Sequence, residues 1–195
     1  MRGRASELTD LGDGRLLRRG GDPARESALM EHARTRGFPV PHVYEVRDDA
    51  LVIERIDGPT MEADALTRPW RLVRHMRTLA RLHDELHRLE HPEGGTLIHR
   101  DLQPQNVLHS PEGPVVVDWT NAGAGDAAVD VELTWLIMRT SGGRVGQLAA
   151  LLFGRQFDAG ALRRGMPEAC AYRLADPNVS SLERARVRRL ERRYC

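Results

Sequence analysis

Asp101 and Asn106 lie in the stretch His99-Arg100-Asp101-Leu102-Gln103-Pro104-Gln105-Asn106, and a further aspartate, Asp118, closes the run Val115-Val116-Val117 with Trp119 behind it. This H-R-D-x-x-x-x-N form with a second carboxylate after an apolar strand suits phosphoryl transfer. One carboxylate must orient and accept the proton of an attacking hydroxyl, while a second carboxylate and an amide oxygen hold Mg²⁺ on nucleotide phosphates. Asp101 fits the first role, and Asn106 with Asp118 fits the second. The two metal-type residues flank a hairpin pattern, Val107 to Val117, whose closure would bring them together.

The elements around this loop change character near Gly58-Pro59. Before it, Gly12-Asp13-Gly14 reads as a turn leading into a strand over Arg15 to Arg19. Asp22-Pro23 opens a helix that stops at Gly37, by the rule that a capping residue precedes a proline and a glycine follows the end. Val40 to Val46 and Ala50 to Ile56 form a hairpin about Arg47-Asp48-Asp49. Beyond Gly58 a helical period carries Trp70, Val73, Met76, Leu79, Ala80, Leu82, Leu86 and Leu89 on one face. Short strands at Leu97-Ile98, Val107-Leu108 and Val115 to Val117 follow. Asp130 to Arg139 reads as a buried helix and Leu182 to Arg193 as a surface helix.

Composition narrows the class. The 195 residues suffice for one compact unit, and 29 basic against 28 acidic residues leave a formal charge of +1, so no global field recruits nucleic acid or an anionic membrane. All the basic residues are Arg; there is no Lys. No apolar run approaches bilayer length and the start lacks a signal peptide's hydrophobic segment, so the chain is expected in the cytoplasm. Cys170 and Cys195 have no metal-type spacing and are expected as thiols.

The pattern HRDLQPQN followed by VVVDWTNAGAGDAAVD, with Asp-Trp where protein kinases carry Asp-Phe-Gly, resembles the aminoglycoside phosphotransferase and choline kinase family. The resemblance runs from about Gly14 to Arg139. It implies an α+β, protein-kinase-like bilobal fold, with residues 1–58 as a reduced N-terminal nucleotide-binding lobe and residues 59–195 as a helical C-terminal lobe. It also implies ATP and Mg²⁺ as cofactors and a small-molecule hydroxyl as acceptor, with no nucleic acid and no membrane as partners. Asp101 becomes the catalytic base, and Asn106 and Asp118 the metal ligands. Asp130 resembles the aspartate that braces the catalytic loop through backbone N–H groups, although helix capping explains Asp126 and Asp130 equally well. In the strand Arg15 to Arg19, Arg18 takes the place of the phosphate-binding lysine, and Glu26 resembles its carboxylate partner. Glu26 is also a residue type favoured in any first helical turn. Val52 to Ile56 resembles the hinge strand, with backbone groups at Glu54 and Ile56 for adenine and Leu16 and Leu108 on either side of the ring; each is equally an ordinary core position. Gly12-x-Gly14 is better read as a tight turn than as a phosphate lid, which leaves a reduced lid or a chain that starts late.

Two other signals are weaker. His83, His87 and His91 recur at helical steps, but Asp84 stands where a zinc-protease helix needs Glu, and the three span about 12 Å, so a polar stripe explains them. The arginines from Arg184 to Arg193 alternate with Glu183 and Glu191, as on a solvated, self-paired helix face. An enzyme that moves the γ-phosphate of ATP is the leading expectation. A kinase-like binder without turnover is the alternative, favoured by the missing lid and lysine, and a protein kinase is disfavoured for want of an activation segment.

Overall fold

A computed structural model describes residues 7–194. β1 (Glu7–Gly12) and β2 (Arg15–Arg19) form an antiparallel hairpin. Its turn residues Gly12, Asp13 and Gly14 all have positive φ, a conformation glycine adopts without steric cost. α1 (Pro23–Arg34) starts where expected: the Asp22 carboxylate accepts the Arg25 N–H at 3.1 Å, and Pro23 occupies the first turn. β3 (Val43–Val46) and β4 (Ala50–Glu54) complete an antiparallel sheet of order β1-β2-β4-β3. Both of these strands are shorter than the sequence suggests. Pro39 and Pro41 have no N–H to give a ladder, so pairing begins at Val43. At the other end the Arg55 N–H leaves the strand to donate to the Gly14 carbonyl.

The helical part begins with α2 (Met61–Thr67), which sequence reading missed; the Thr60 hydroxyl caps it by accepting the Ala63 N–H. The Arg68-Pro69 step then interrupts the helical path, because proline disfavours the α conformation in the residue before it. A single 3₁₀ turn (Pro69–Arg71) precedes α3 (Leu72–His87). The expected apolar face is therefore corrected at its start, where Trp70 is 75% exposed and Val73 is also exposed, while Met76, Leu79, Leu82 and Leu86 are buried. β5 (Thr96–Ile98) and β8 (Gly123–Gly125) pair with each other, as do β6 (Val107–Ser110) and β7 (Gly113–Val116). α4 (Ala127–Ser141), α5 (Gly143–Gly154), α6 (Ala159–Ala175) and α7 (Ser181–Tyr194) close the chain.

One apolar cluster runs through the molecule. Leu51 and Ile53 of β4, Leu29 and Met30 of α1 and Phe38 join Met76, Leu79 and Leu82 of α3, Leu102, Trp119 and Phe153 of α5. The sheet is thus packed onto the same core as the helices, which fixes its position over the loops that carry Asp101 and Asp118. A second cluster, Leu136, Met166, Cys170 and Val187, joins α4, α6 and α7. Cys170 is fully buried there, and Cys195 lies outside the described residues.

α7 is a surface helix as expected, with Arg188, Arg189, Arg192 and Arg193 exposed, but part of it is tied into the fold. Arg184 donates to the backbone carbonyls of Leu174, Asp176 and Val179, and Arg186 donates to the Thr140 carbonyl at 2.6 Å. Glu183 is buried and accepts from Thr140 and Arg173. These arginines thereby satisfy carbonyl groups near helix ends, where intrahelical donors run out. Among the described residues no helix is long and apolar enough to cross a membrane.

α6 crosses α4 at Gly165, where a Cβ would stand 2.6 Å from the Ala128 backbone. Alanine at this position improves helix propensity by about 1 kcal/mol, yet the clash is with backbone that cannot rotate away. Overpacking of this kind costs about 1–3 kcal/mol, so Gly165→Ala should lower the urea midpoint. An unchanged or raised midpoint would show that the two helices separate at little cost.

Candidate active site

The loop from β5 to β6 is held by a buried carboxylate. Asp130, in the first turn of α4, accepts the His99 N–H at 3.1 Å and the Arg100 N–H at 2.6 Å. Arg100 has φ +63°, which an L-residue adopts only at a cost, and the paired backbone bonds hold it there. His87 of α3 adds a third bond to Asp130 at 2.9 Å. These contacts keep the Asp130 carboxyl far below the ordinary carboxylate range, against the opposing effect of burial. Asp126 meanwhile caps α4 through the Ala128 N–H at 2.8 Å, so the two aspartates do different work.

The histidines read from sequence as a polar stripe are corrected by this packing. His83 is fully buried, and its Nε2 lies 3.3 Å from the Leu102 carbonyl and 3.1 Å from the Thr134 hydroxyl. His83 and His87 present one face of α3 to Asp130, a pairing between residues far apart in sequence. Nitrogen and oxygen atoms of His83, His87 and Asp130 lie within 4.8 Å of one another. The Asp130 oxygens are already committed to the loop backbone.

Downstream of the brace, Asp101 accepts the Gln103 Nε2–H on Oδ1 at 2.8 Å and the Asn106 Nδ2–H on Oδ2 at 2.9 Å. Asn106 Nδ2 also donates to the Asp101 carbonyl at 2.9 Å. With its nitrogen spent in this way, Asn106 retains its side-chain oxygen for a cation. Burial pushes the Asp101 carboxyl up to about 6, and the Asp118 charge adds to the shift. The bonds from Asn106 and Gln103 and the Arg173 charge work in the opposite direction. The Asp118 carboxylate is thus close enough to oppose the ionisation of Asp101.

Asp118 follows the β6–β7 hairpin in a left-handed conformation, φ 62° and ψ 67°. Trp119 beside it is fully buried; its indole N–H donates to the Val116 carbonyl at 3.0 Å, and its ring meets Phe38 edge-on. This anchor fixes the backbone from which Asp118 projects. Its Oδ1 accepts from the Thr120 hydroxyl at 2.7 Å and from Arg18 at 3.3 Å. Asn106 and Asp118 are hard oxygen donors of the kind Mg²⁺ takes, and Asp118 is partly open to solvent, so the residues fit that ion.

The sheet reaches this cluster through Arg18. Leu16 and Arg18 share one face of β2, and Leu17 on the other packs with Ala50 and Val52. The Arg18 guanidinium lies 2.5 Å from Glu26 of α1, and it also donates to Thr120 and Asp118. Arg18 and Glu26 are both buried, and burial pushes the Glu26 carboxyl up against the opposing pull of Arg18. A second arginine, Arg25, ties α1 to the same loop by donating to the Ala122 carbonyl at 2.6 Å.

The adenine-type positions are less convergent. The Glu54 N–H is used by the His42 carbonyl at 2.8 Å, so this backbone donor is not available to a ring, because it closes the β3–β4 pairing. Ile56 lies past the end of β4, and both residues border a cleft of about 630 Å³ made with α3 and the β6–β7 turn. Neither Leu16 nor Leu108 lines that cleft. Leu16 pairs with Ile53 across the sheet, and Leu108 bridges to Thr60. The Gly12–Gly14 turn sits at the Glu54 end of the sheet, because Arg15 pairs with Glu54 and Arg19 with Ala50. It is therefore at the opposite end of β2 from Arg19. Sequence reading also missed Thr120 and Gln103, each two residues beyond its aspartate, a spacing at which short side-chain bonds commonly form.

Two family patterns match the chain: the RIO domain over residues 22–126, and the phosphotransferase enzyme family over residues 87–168. No curated protein matches it by sequence. Among solved structures, a thermostable mutant of aminoglycoside phosphotransferase APH(4)-Ia in its apo form is similar at TM-score 0.73 and 15% identity, covering 97% of this chain and 94% of the other. The same enzyme in a ternary complex with AMP-PNP and hygromycin B is similar at TM-score 0.69 and 14% identity, covering 96% and 93%. A choline/ethanolamine kinase family protein from Mesorhizobium loti is similar at TM-score 0.65 and 18% identity, covering 96% and 85%. The fold is that of the protein-kinase-like phosphotransferases, with a small sheet lobe on a mainly helical one. With a RIO-domain pattern over more than half of its length, the chain belongs to the RIO-domain family of the kinase-like fold, and the phosphotransferase pattern over residues 87–168 agrees with its structural likeness to aminoglycoside phosphotransferases and a choline kinase family protein.

Proposed function

We propose that this chain is an ATP- and Mg²⁺-dependent phosphotransferase that moves the γ-phosphate of ATP to a hydroxyl of a small molecule. The observation that carries the reading is the meeting of Asp101, Asn106 and Asp118, with Asp101 held by two amide donors and its carboxyl raised toward neutrality. A carboxylate of that strength accepts a hydroxyl proton as the oxygen attacks, and is still ionised at neutral pH. The acceptor oxygen forms a bond to the γ-phosphorus, the bond from that phosphorus to the bridging oxygen breaks, ADP leaves, and the proton stays on Asp101. Asn106 and Asp118 would hold Mg²⁺, which supplies charge neutralisation on the phosphates. Arg18 would turn from Asp118 toward the phosphate tail while Glu26 fixes its other nitrogen. AMP-PNP and ADP complexes of the structurally similar phosphotransferase support the choice of nucleotide.

The alternative, a nucleotide binder without turnover, draws support from Arg18, whose guanidinium is already occupied by Glu26, Thr120 and Asp118. A screen of Mg·ATP with aminoglycosides, amino alcohols, sugars and nucleosides, scored by ADP release, separates the two. Release with an acceptor supports the enzyme, and nucleotide binding without release under any condition supports the binder. In the responding assay Asp101→Asn should lower turnover by about 10²–10⁴-fold with ATP affinity nearly intact, the usual share of a general base.

The same residue links catalysis to stability. A carboxyl whose folded value is raised stabilises the fold in its protonated form. That contribution is full below the ordinary value of 3.8 and is lost as pH rises through about 6. Relative to Asp101→Asn, wild type should therefore lose up to about 3 kcal/mol of unfolding free energy across this window, at roughly 1.4 kcal/mol per pH unit. Parallel stability curves for the two proteins would show that Asp101 titrates normally.

Arg18→Ala tests the clamp. If the guanidinium meets phosphates, the variant loses far more affinity for ATP than for adenosine, because only the charged tail loses its partner. Equal losses would place Arg18 in a structural role alone.

A further inference from the structure

A second cleft, of about 470 Å³, lies between α2, α3 and the turn of the β6–β7 hairpin, and contains none of the candidate active-site residues. Arg68, Arg71, Arg74 and Arg81 line it with His75 and His109. We propose that this cleft is a binding site for a small polyanion bearing phosphate groups. Its volume falls within the range of small-molecule sites, about 300–1,000 Å³.

The charge balance supports an anion. Two carboxylates, Asp64 and Glu112, also line the cleft. Asp64 is 2% exposed, and it is already met by Arg68 at 2.5 Å, Arg71 at 3.3 Å and His75 at 2.7 Å. Its charge is therefore consumed inside the wall. Arg74 has no ion-pair or hydrogen-bond partner among the described residues, and Arg81 has only a loose contact to Glu85 at 3.7 Å. Thr78, between them on α3, adds a hydroxyl. On a chain whose net charge is +1, this gathering of guanidiniums is local, and their planar forks match phosphate oxygens.

Asp64, His75 and His109 place their ligand atoms within 4.8 Å, a spacing that a divalent cation could also use. The His109 Nε2 is buried without a partner. The surroundings weigh against a cation: burial first, then His75, Arg74 and Arg71, lower the His109 imidazole's proton affinity, and only the already ion-paired Asp64 acts the other way. A dication would face the same positive groups.

Thermal melts and calorimetric titrations with pyrophosphate, ribose 5-phosphate and Zn²⁺, on the whole chain without nucleotide, test the site. Pyrophosphate has no base to engage the adenine region, and ribose 5-phosphate separates a phosphoester ligand from a free inorganic anion by which of the two binds more tightly. The expected result is binding of at least one of them that Arg74→Ala or Arg81→Ala weakens by about tenfold or more, that Glu112→Gln tightens, and that Arg18→Ala leaves unchanged. Loss on Arg18→Ala with retention in Arg74→Ala would move the anion to the active-site cleft and overturn the proposal. A Zn²⁺ shift abolished by His109→Ala, without anion binding, would overturn it in favour of a metal. No response to either anion would overturn it outright.

Discussion

The carboxylate of Asp130 is the constraint on which the geometry of the candidate site rests. It sits in a fully buried position and receives two successive backbone N–H groups of the loop, one from a residue in the left-handed region. An unpaired carboxylate there would be expensive, so loop, helix and histidines stabilise one another. Release of the loop would expose the charge to an apolar interior, and removal of the charge would let Arg100 relax to an ordinary conformation. The position of Asp101, one residue further on, follows from that mutual dependence.

Arg18 performs the equivalent task between the sheet and the helical part. It gathers carboxylates from α1 and from the segment after β7, and Trp119 and Phe38 press the same two regions together through apolar contact. Because polar and apolar contacts converge on Asp118, its orientation depends on packing more than on the local chain. A left-handed aspartate held in this way is a strained residue kept in place by its surroundings, as active sites often show.

The parts of this arrangement encoded in short stretches were legible from sequence. The spacing of Asp101 and Asn106, the strand ahead of Asp118, the Asp22 cap and the Gly12–Gly14 turn all depend on neighbours within a few residues. The brace by Asp130 was legible only through family resemblance, since capping predicts the same residue. What escaped detection depends on distant partners: a buried histidine such as His83 has the same letter as a solvated one, and Thr134 and Leu102, which explain it, lie well apart in the chain. α2 escaped because its seven residues are too few to establish a period, and Trp70 was misplaced because a break at Pro69 resets the helical phase. Glu54 was read as open because a sequence does not reveal that His42 already takes its N–H.

The absence of lysine has a consequence for how acidity governs this site. A lysine clamp loses its charge in the alkaline range, whereas a guanidinium keeps its charge beyond pH 12. Were an arginine to serve as the clamp, as proposed for Arg18, the general behaviour of guanidiniums would carry its phosphate contact through the alkaline range. The rate profile of such a site would thus rise on the acid side as Asp101 ionises and run level on the alkaline side, a sigmoid with no descending limb contributed by the clamp.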